Sequence, residues 1–516
     1  MNTARRSVAR DTILLSLMVL SMAGFCGDAP SQPEKTGADL TPDSLSPAAK
    51  ATIDALRALP ESERAAVLNQ LGVKTEREIR LPDSVAKNLD EPEKKDEEKD
   101  KKDELYSIHY QTTIITQKHD ALQKAPYTGA FSLAPKEDQK TSATATVFFG
   151  RHLWDGGELY FNPEISGGEG LSKVNGIAGF PNGDIEKVGS PAPAPYVARL
   201  FLRETFNLGG ESEKLEDGFN QVAGARDVNR VTVQFGKVAA TDVFDTNTYA
   251  HDPRTQFMDW AIMDYGAWDY AADTRGYTPG LSVEYNRDDG WALRYGVFMV
   301  PRRANSAIFD FSLGKANAQN LEVERRYKLF GKDGAVRVLG YDNNAHMGSY
   351  REAVDAAIAS GNTPNLIPTR KYRAKIGFGI NAEEEIFKDV GGFLRASWND
   401  GRSETWMFTE IDRSLSIGAT VKGTRWSRPD DVIGLGGVVN GLSPDHRDFL
   451  AAGGTGFIIG DGRLNYSPEK ILETYYSLRF HANMSLSVYY QFVGDPAYNQ
   501  DRGPVNIGSV RLHVEF

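Results

Sequence analysis

The sequence predicts an all-β fold: a transmembrane antiparallel β-barrel of about sixteen strands, with inward-folded loops and a partly helical or disordered N-terminal extension. Three observations predict it. From residue 106 to residue 516 apolar and polar side chains alternate in segments of about ten residues, separated by turn clusters. The chain begins with an export signal. Mean hydropathy of −0.43 excludes a bundle of membrane-spanning helices, yet it allows strands that hide only every second residue in lipid.

Residues 1–29 read as a signal peptide. Arg5, Arg6 and Arg10 precede an apolar stretch over residues 12–25, too short for a comfortable span. Cleavage after Ala23 fits a small-x-small site, and later sites stay open. Phe25 stands where a lipid-attachment motif needs Gly, Ala or Ser, which argues against lipidation of Cys26.

Residues 30–105 form the N-terminal extension. Ser46 and Pro47 can start a helix, and Ile53, Leu56 and Leu59 follow at helical spacing. A second helix is expected over residues 62–71, with Gly72 as its stop. Between Lys87 and Glu104, 15 of 18 residues are charged, so this stretch reads as a solvated spacer. The helices read either as an oligomerisation or periplasmic docking element or as a weakly ordered amphipathic pair.

From residue 106 the period becomes 2. Ile108, Tyr110, Thr112 and Ile114 oppose His109, Gln111, Thr113 and Gln117. Ala198, Leu200 and Leu202 oppose Arg199, Phe201 and Arg203. Val231, Val233 and Phe235 oppose Arg230, Thr232 and Gln234. Leu281, Val283 and Tyr285 oppose Ser282 and Glu284, while Leu293, Tyr295 and Val297 oppose Arg294. Leu321 and Val323 oppose Glu322, Glu324 and Arg326. Segment counting gives 17, an odd number for a single-chain bacterial barrel, so sixteen is the expectation. A secreted β-sandwich shares the alternation but shows its polar face to bulk water. Recurrent Arg and Glu on that face fit a lumen better. The last strand carries Val510, Leu512, Val514 and Phe516 on one face, and a terminal aromatic there reads as an outer-membrane assembly signal.

Composition narrows the partners. The 59 Lys and Arg against 70 Asp and Glu leave a net charge of −11, which disfavours nucleic acid. A single cysteine excludes a disulfide framework and Cys-based metal sites. No cofactor and no metal are expected.

Several segments resemble the carbohydrate-selective porins of Gram-negative outer membranes. They are residues 110–119 (YQTTIITQKH), 149–164 (FGRHLWDGGELYFNPE), 176–183 (GIAGFPNG), 198–203 (ARLFLR), 249–258 (YAHDPRTQFM), 266–270 (GAWDY), 273–276 (DTRG), 408–413 (FTEIDR), 451–454 (AAGG) and 496–504 (PAYNQDRGP). The similarity spans roughly residues 106–516 and omits the extension. It implies a 16-stranded barrel passing mono- and small oligosaccharides by diffusion, with outer-membrane lipid, lipopolysaccharide and the assembly machinery as further partners. It carries neither the preferred sugar nor the oligomeric state.

A neutral, hydroxyl-rich solute needs hydrogen-bond donors and acceptors beside an apolar ring face. Residues 249–277 hold that mixture: Asp252, Arg254, Trp260, Trp268, Asp269, Asp273 and Arg275. The interval is too long for a hairpin turn, and residues 255–263 can form one or two helical turns. Folding into the barrel to narrow it, or capping it, are its two readings. A Gly- and Pro-rich loop over residues 164–195 reads as a constriction partner or an extracellular turn. Arg199 and Arg203 would line the lumen wall, balanced by Glu158, Glu284, Glu322 and Glu324 with Arg294 and Arg326; a plainer reading of each is a wall charge facing water. Passage requires weak binding, on the order of −4 kcal/mol. A secreted carbohydrate-active enzyme or lectin, and a non-selective porin, are the alternatives. Carboxylate pairs such as Glu404 with Glu410 or Asp269 with Asp273 do not establish a glycosidase, because sequence gives no distance between them.

Overall fold

The computed structural model describes residues 105–185 and 191–516. The expected signal peptide (1–29) and, apart from Leu105, the expected extension (30–105) lie outside the described residues.

The strands run in chain order as β1 (Tyr106–His119), β2 (Glu137–Trp154), β3 (Gly157–Gly168), β4 (Ala194–Asn207), β5 (Ser212–Leu215), β6 (Gly224–Asp227), β7 (Arg230–Val238), β8 (Thr278–Asn286) and β9 (Trp291–Phe298). They continue as β10 (Asn317–Leu329), β11 (Lys332–Ala345), β12 (Arg373–Phe387), β13 (Val390–Asn399), β14 (Arg413–Lys422), β15 (Val432–Gly441), β16 (Glu469–His481), β17 (Met484–Gly494) and β18 (Val505–Glu515). Sixteen of them close an antiparallel barrel, and β5 pairs only with β6 in a hairpin inserted between β4 and β7. Closure runs from Gln111 opposite Glu515 to His119 opposite Ile507. Closure leaves no free sheet edge, as a strand protein must in hydrocarbon, where an unpaired N–H or C=O finds no water. No helix among the described residues is long and apolar enough to cross a membrane.

The alternation sorts the two faces. Leu200, Leu202, Phe235, Leu281, Leu293 and Leu321 are exposed on the outer wall, where the bilayer covers them. Gln111, Thr113, Arg294, Glu322 and Glu324 are buried inside. Ala198 differs from expectation: it is fully buried rather than lipid-facing with Leu200. The cause is on the neighbouring strand. Asn162 pairs with Arg199 and Pro163 with Val197, so Ala198 is skipped in a β-bulge. Pro163 has no N–H for the ladder, and a proline within a sheet is accommodated at such a bulge.

Apart from the β4 to β7 connection, short turns join strands at the end where β1 starts, and longer loops at the other, which sets the periplasmic and extracellular ends. The helices α1 (Trp260–Met263), α2 (Tyr350–Ser360) and α3 (Pro444–Ala451) all lie in the long loops. Tyr350 stacks on His446 with centroids 4.1 Å apart, joining α2 to α3.

Candidate functional site

The loop joining β7 to β8, residues 239–277, runs inside the barrel and is fixed there by buried charges. Glu473 on β16 accepts from the backbone N–H groups of Met258 and Asp259 at 2.7 and 2.8 Å. Arg395 on β13 donates to the carbonyls of Ile262 (3.0 Å) and Ala250 (2.6 Å) and pairs with Asp245 at 2.8 Å. Arg511 on β18 donates to the carbonyls of Pro253 and Gln256. A charge taken out of water is tolerated only where its hydrogen-bonding capacity is filled, and backbone groups of the loop fill it here. Close approach needs small residues on the wall: a Cβ on Gly379 would lie 2.6 Å from the Tyr265 ring. Within residues 255–263 the helical content is one short turn, α1, capped by Asp259 through Ala261 N–H.

The loop joining β3 to β4 enters the lumen as well. Its Ala178 and Gly179 N–H groups donate to Glu469 at 2.9 and 2.8 Å, and Phe180 stacks on Trp260 at 4.8 Å. Between the two loops and the wall of β1 to β4 a cavity of about 340 Å³ remains.

Three guanidinium groups face this cavity: Arg199 on β4, and Arg254 and Arg275 on the inward loop. Arg199 makes a two-point contact with Asp242 at 2.7 and 2.6 Å. Arg254 donates to Asp184 at 2.7 Å, to Thr146 at 3.1 Å and to Glu164 at 3.0 Å. Arg275 lies over the Tyr196 ring, its guanidinium carbon 3.8 Å from the centroid, and Arg199 lies over Tyr277 at 5.0 Å. The Ala198 bulge explains the pairing: Tyr196 and Arg199, three residues apart, both face the lumen, which an unbroken strand forbids. Both tyrosine hydroxyls donate to Glu164, Tyr277 at 3.3 Å. His251 sits 3.3 Å from Asp264 on the same wall. Burial alone would lower the His251 pKa, but the Asp264 carboxylate outweighs burial and raises it above the ordinary 6.5.

The residues expected from sequence divide into four groups. Arg199, Asp252, Arg254, Trp260 and Arg275 line the cavity. Asp252 acts through Arg254, accepting from its N–H at 2.9 Å, and Trp260 is only 3% exposed between Phe180 and Tyr270. Asp273 stands behind the wall, bonded to Lys237 and to the N–H groups of Arg275 and Tyr277, so it shapes the turn that presents them. Arg203 and Glu158 line a separate cavity at the periplasmic end.

The rest do not line the 340 Å³ cavity. Trp268 is buried among Phe244, Tyr265 and Tyr270. Asp269 accepts from Trp406, Met407, Phe408 and Thr409 N–H groups and anchors one loop to another. Glu284, Arg294, Glu322, Glu324 and Arg326 pair with one another on β8 to β10: Arg294 reaches Glu284, Glu322 and Glu324 at 2.6, 2.9 and 3.1 Å, and Arg326 reaches Glu324 at 3.1 Å. Sequence reasoning passed over Glu164, Asp184, Tyr196, Asp242, His251, Asp264 and Tyr277, all on the cavity wall. The one local signal was Pro163 inside a strand, which marks a bulge. Among the described residues no group of three His, Cys, Asp or Glu side chains could hold a metal ion.

Residues 149–516 match the family described as carbohydrate-selective porin, OprB family. Among solved structures, OprB of Pseudomonas putida is similar at 15% identity and a TM-score of 0.59, covering 80% of this chain and 94% of that one. The outer membrane channel DcaP of Acinetobacter baumannii matches at 11% identity and a TM-score of 0.44, covering 80% of this chain and 97% of that one. No curated protein matches the chain.

Proposed function

Because the chain belongs to the OprB family of carbohydrate-selective porins, we propose that the cavity beside β1 to β4 is the constriction at which this outer-membrane channel selects sugars. Substrate moves down its gradient as mono- or small oligosaccharide, without catalysis.

One observation carries this reading: Arg199 and Arg254 are locked by carboxylates, and Arg199 and Arg275 lie over tyrosine rings. A guanidinium fixed by a carboxylate keeps N–H groups to offer a passing hydroxyl, while its charge is locally neutralised. Neutral polyols then gain hydrogen bonds, and free ions gain little from the field. The carboxylates of Glu164, Asp184 and Asp242 can accept in turn. Contacts of this kind are exchanged for water one at a time, so binding stays weak enough to release.

Glucose added to one side of a planar bilayer tests this. The expected result is a concentration-dependent interruption of ion current through single channels, weakened by Arg254→Ala. Current indifferent to glucose in both proteins would sink the reading in favour of a non-selective porin. The C-terminal strand, with Val510, Leu512, Val514 and Phe516, is proposed to engage the assembly machinery.

A further inference from the structure

The periplasmic connection between β4 and β7 is far longer than the other turns at that end, and it turns inward. Gly218 and Gln221 exchange backbone hydrogen bonds at 3.0 and 3.1 Å, so Phe219 and Asn220 form a two-residue tip. Asn220 takes φ 53°, a left-handed conformation that asparagine tolerates. The tip is held against the lumen wall at four strands. His109 on β1 lies 3.0 Å from Asp217. Phe148 on β2 stacks on Phe219 at 4.5 Å. Asn162 on β3 donates to the Asn220 side chain at 2.8 Å, and Arg203 on β4 donates to its carbonyl at 3.0 Å. Val222 is fully buried where β2 carries Gly150, whose added Cβ would lie 3.1 Å from it.

Phe219 and Asn220 close the 340 Å³ cavity from the periplasmic side. Beyond them is a second cavity of about 420 Å³, lined by Glu158, Arg203, His152 and Gln221. The tip therefore stands between the two cavities. At 39% exposure Phe219 is the most exposed aromatic on the first cavity wall, against 3% for Trp260 and 6% for Tyr277. An accessible ring beside an amide is the pair of groups a pyranose recognises, through its C–H face and its hydroxyls.

We propose that Phe219 and Asn220 form a second, periplasm-side constriction that contacts the sugar as it leaves and limits its size. The proposal rests on the cavity being the sugar path. It makes the hairpin a specificity-determining element that acts in series with the extracellular loops.

The test uses the full-length protein in liposomes and planar bilayers, with glucose and a disaccharide as probes. Phe219→Ala is expected to raise disaccharide entry relative to glucose and to weaken glucose block by about two- to tenfold, the range for one lost aromatic contact. Asn220→Cys, treated with a bulky neutral thiol reagent, is expected to lose most of its conductance; the natural Cys26 lies in the expected signal peptide. An unchanged disaccharide-to-glucose ratio in Phe219→Ala, together with reagent-insensitive current in Asn220→Cys, would overturn the proposal. If wild-type protein shows no preference for glucose over an amino acid of similar mass, the cavity reading has failed instead, and the size ratio still reports on the tip.

Discussion

Arg254, on the loop that enters the barrel, donates from Nη2 to Oε2 of Glu164 on β3 at 3.0 Å. The bond joins the two halves of the cavity wall, one supplied by a loop and one by the barrel. The same guanidinium reaches Asp184 on the second inward loop at 2.7 Å. With Thr146 on β2 at 3.1 Å, four separate segments of chain meet at one planar group.

Arg254→Ala is expected to lower the glucose-to-amino-acid entry ratio in liposome swelling, because it removes donors and loosens both loops. Arg254→Lys keeps the charge but not the planar fork, so it is expected to restore ion selectivity without restoring sugar preference. A lysine variant with wild-type sugar preference would contradict the role assigned to the fork.

Glu164→Gln leaves Arg254 and its neighbours with one less compensating charge. The reversal potential across a salt gradient is expected to move toward anion selectivity, while barrel assembly, followed by gel mobility with and without heating, stays normal.

His251 gives the cavity a titratable charge. Its pKa is raised above 6.5 by Asp264, so it stays protonated to higher pH than a free imidazole and loses its proton as pH rises through that raised value. Cation selectivity is expected to increase over that rise, and the titration is expected to vanish in His251→Gln. A pH-independent reversal potential in wild-type protein would count against it.

The strands were legible because their period of 2 is imposed twice, by lipid outside and polar groups inside. The count needed parity as well: the segments number 17, and the even number expected of a single-chain barrel, sixteen, is the number that closes it. Arg199 and Arg254 stood out by residue type. Tyr196 did not, because only the bulge at Ala198 turns it to the same side as Arg199. Likewise, Glu322 and Arg294 alternate like cavity residues, and no periodicity distinguishes a wall charge that faces a cavity from one that is paired against its neighbour. Asp242 and Asp184 come from loops whose path is set by distant buried carboxylates such as Glu473 and Glu469, contacts invisible to local sequence.

The inward loop depends on Arg395 and Asp245, both almost fully buried and 2.8 Å apart. Removing one partner of such a pair costs about 3–5 kcal/mol. Asp245→Ala is expected to lower the temperature at which the folded form is lost in detergent and to widen the distribution of single-channel conductances. A narrow, wild-type distribution would mean that other contacts suffice to hold the loop.

Phe516 is 40% exposed and stacks on Tyr110 at 4.6 Å, across the β1–β18 seam. Deleting Phe516 is expected to reduce the amount of heat-modifiable barrel in the outer membrane while leaving protein refolded in detergent able to conduct. Undiminished surface yield would remove the assembly role.

The most direct test of the central claim is swelling of liposomes containing the purified protein, with glucose compared against an amino acid of similar mass. Faster glucose entry, lost in Arg254→Ala, is the result expected of a constriction built to exchange hydrogen bonds with hydroxyls. Equal entry of the two solutes, ordered by size alone, would contradict it.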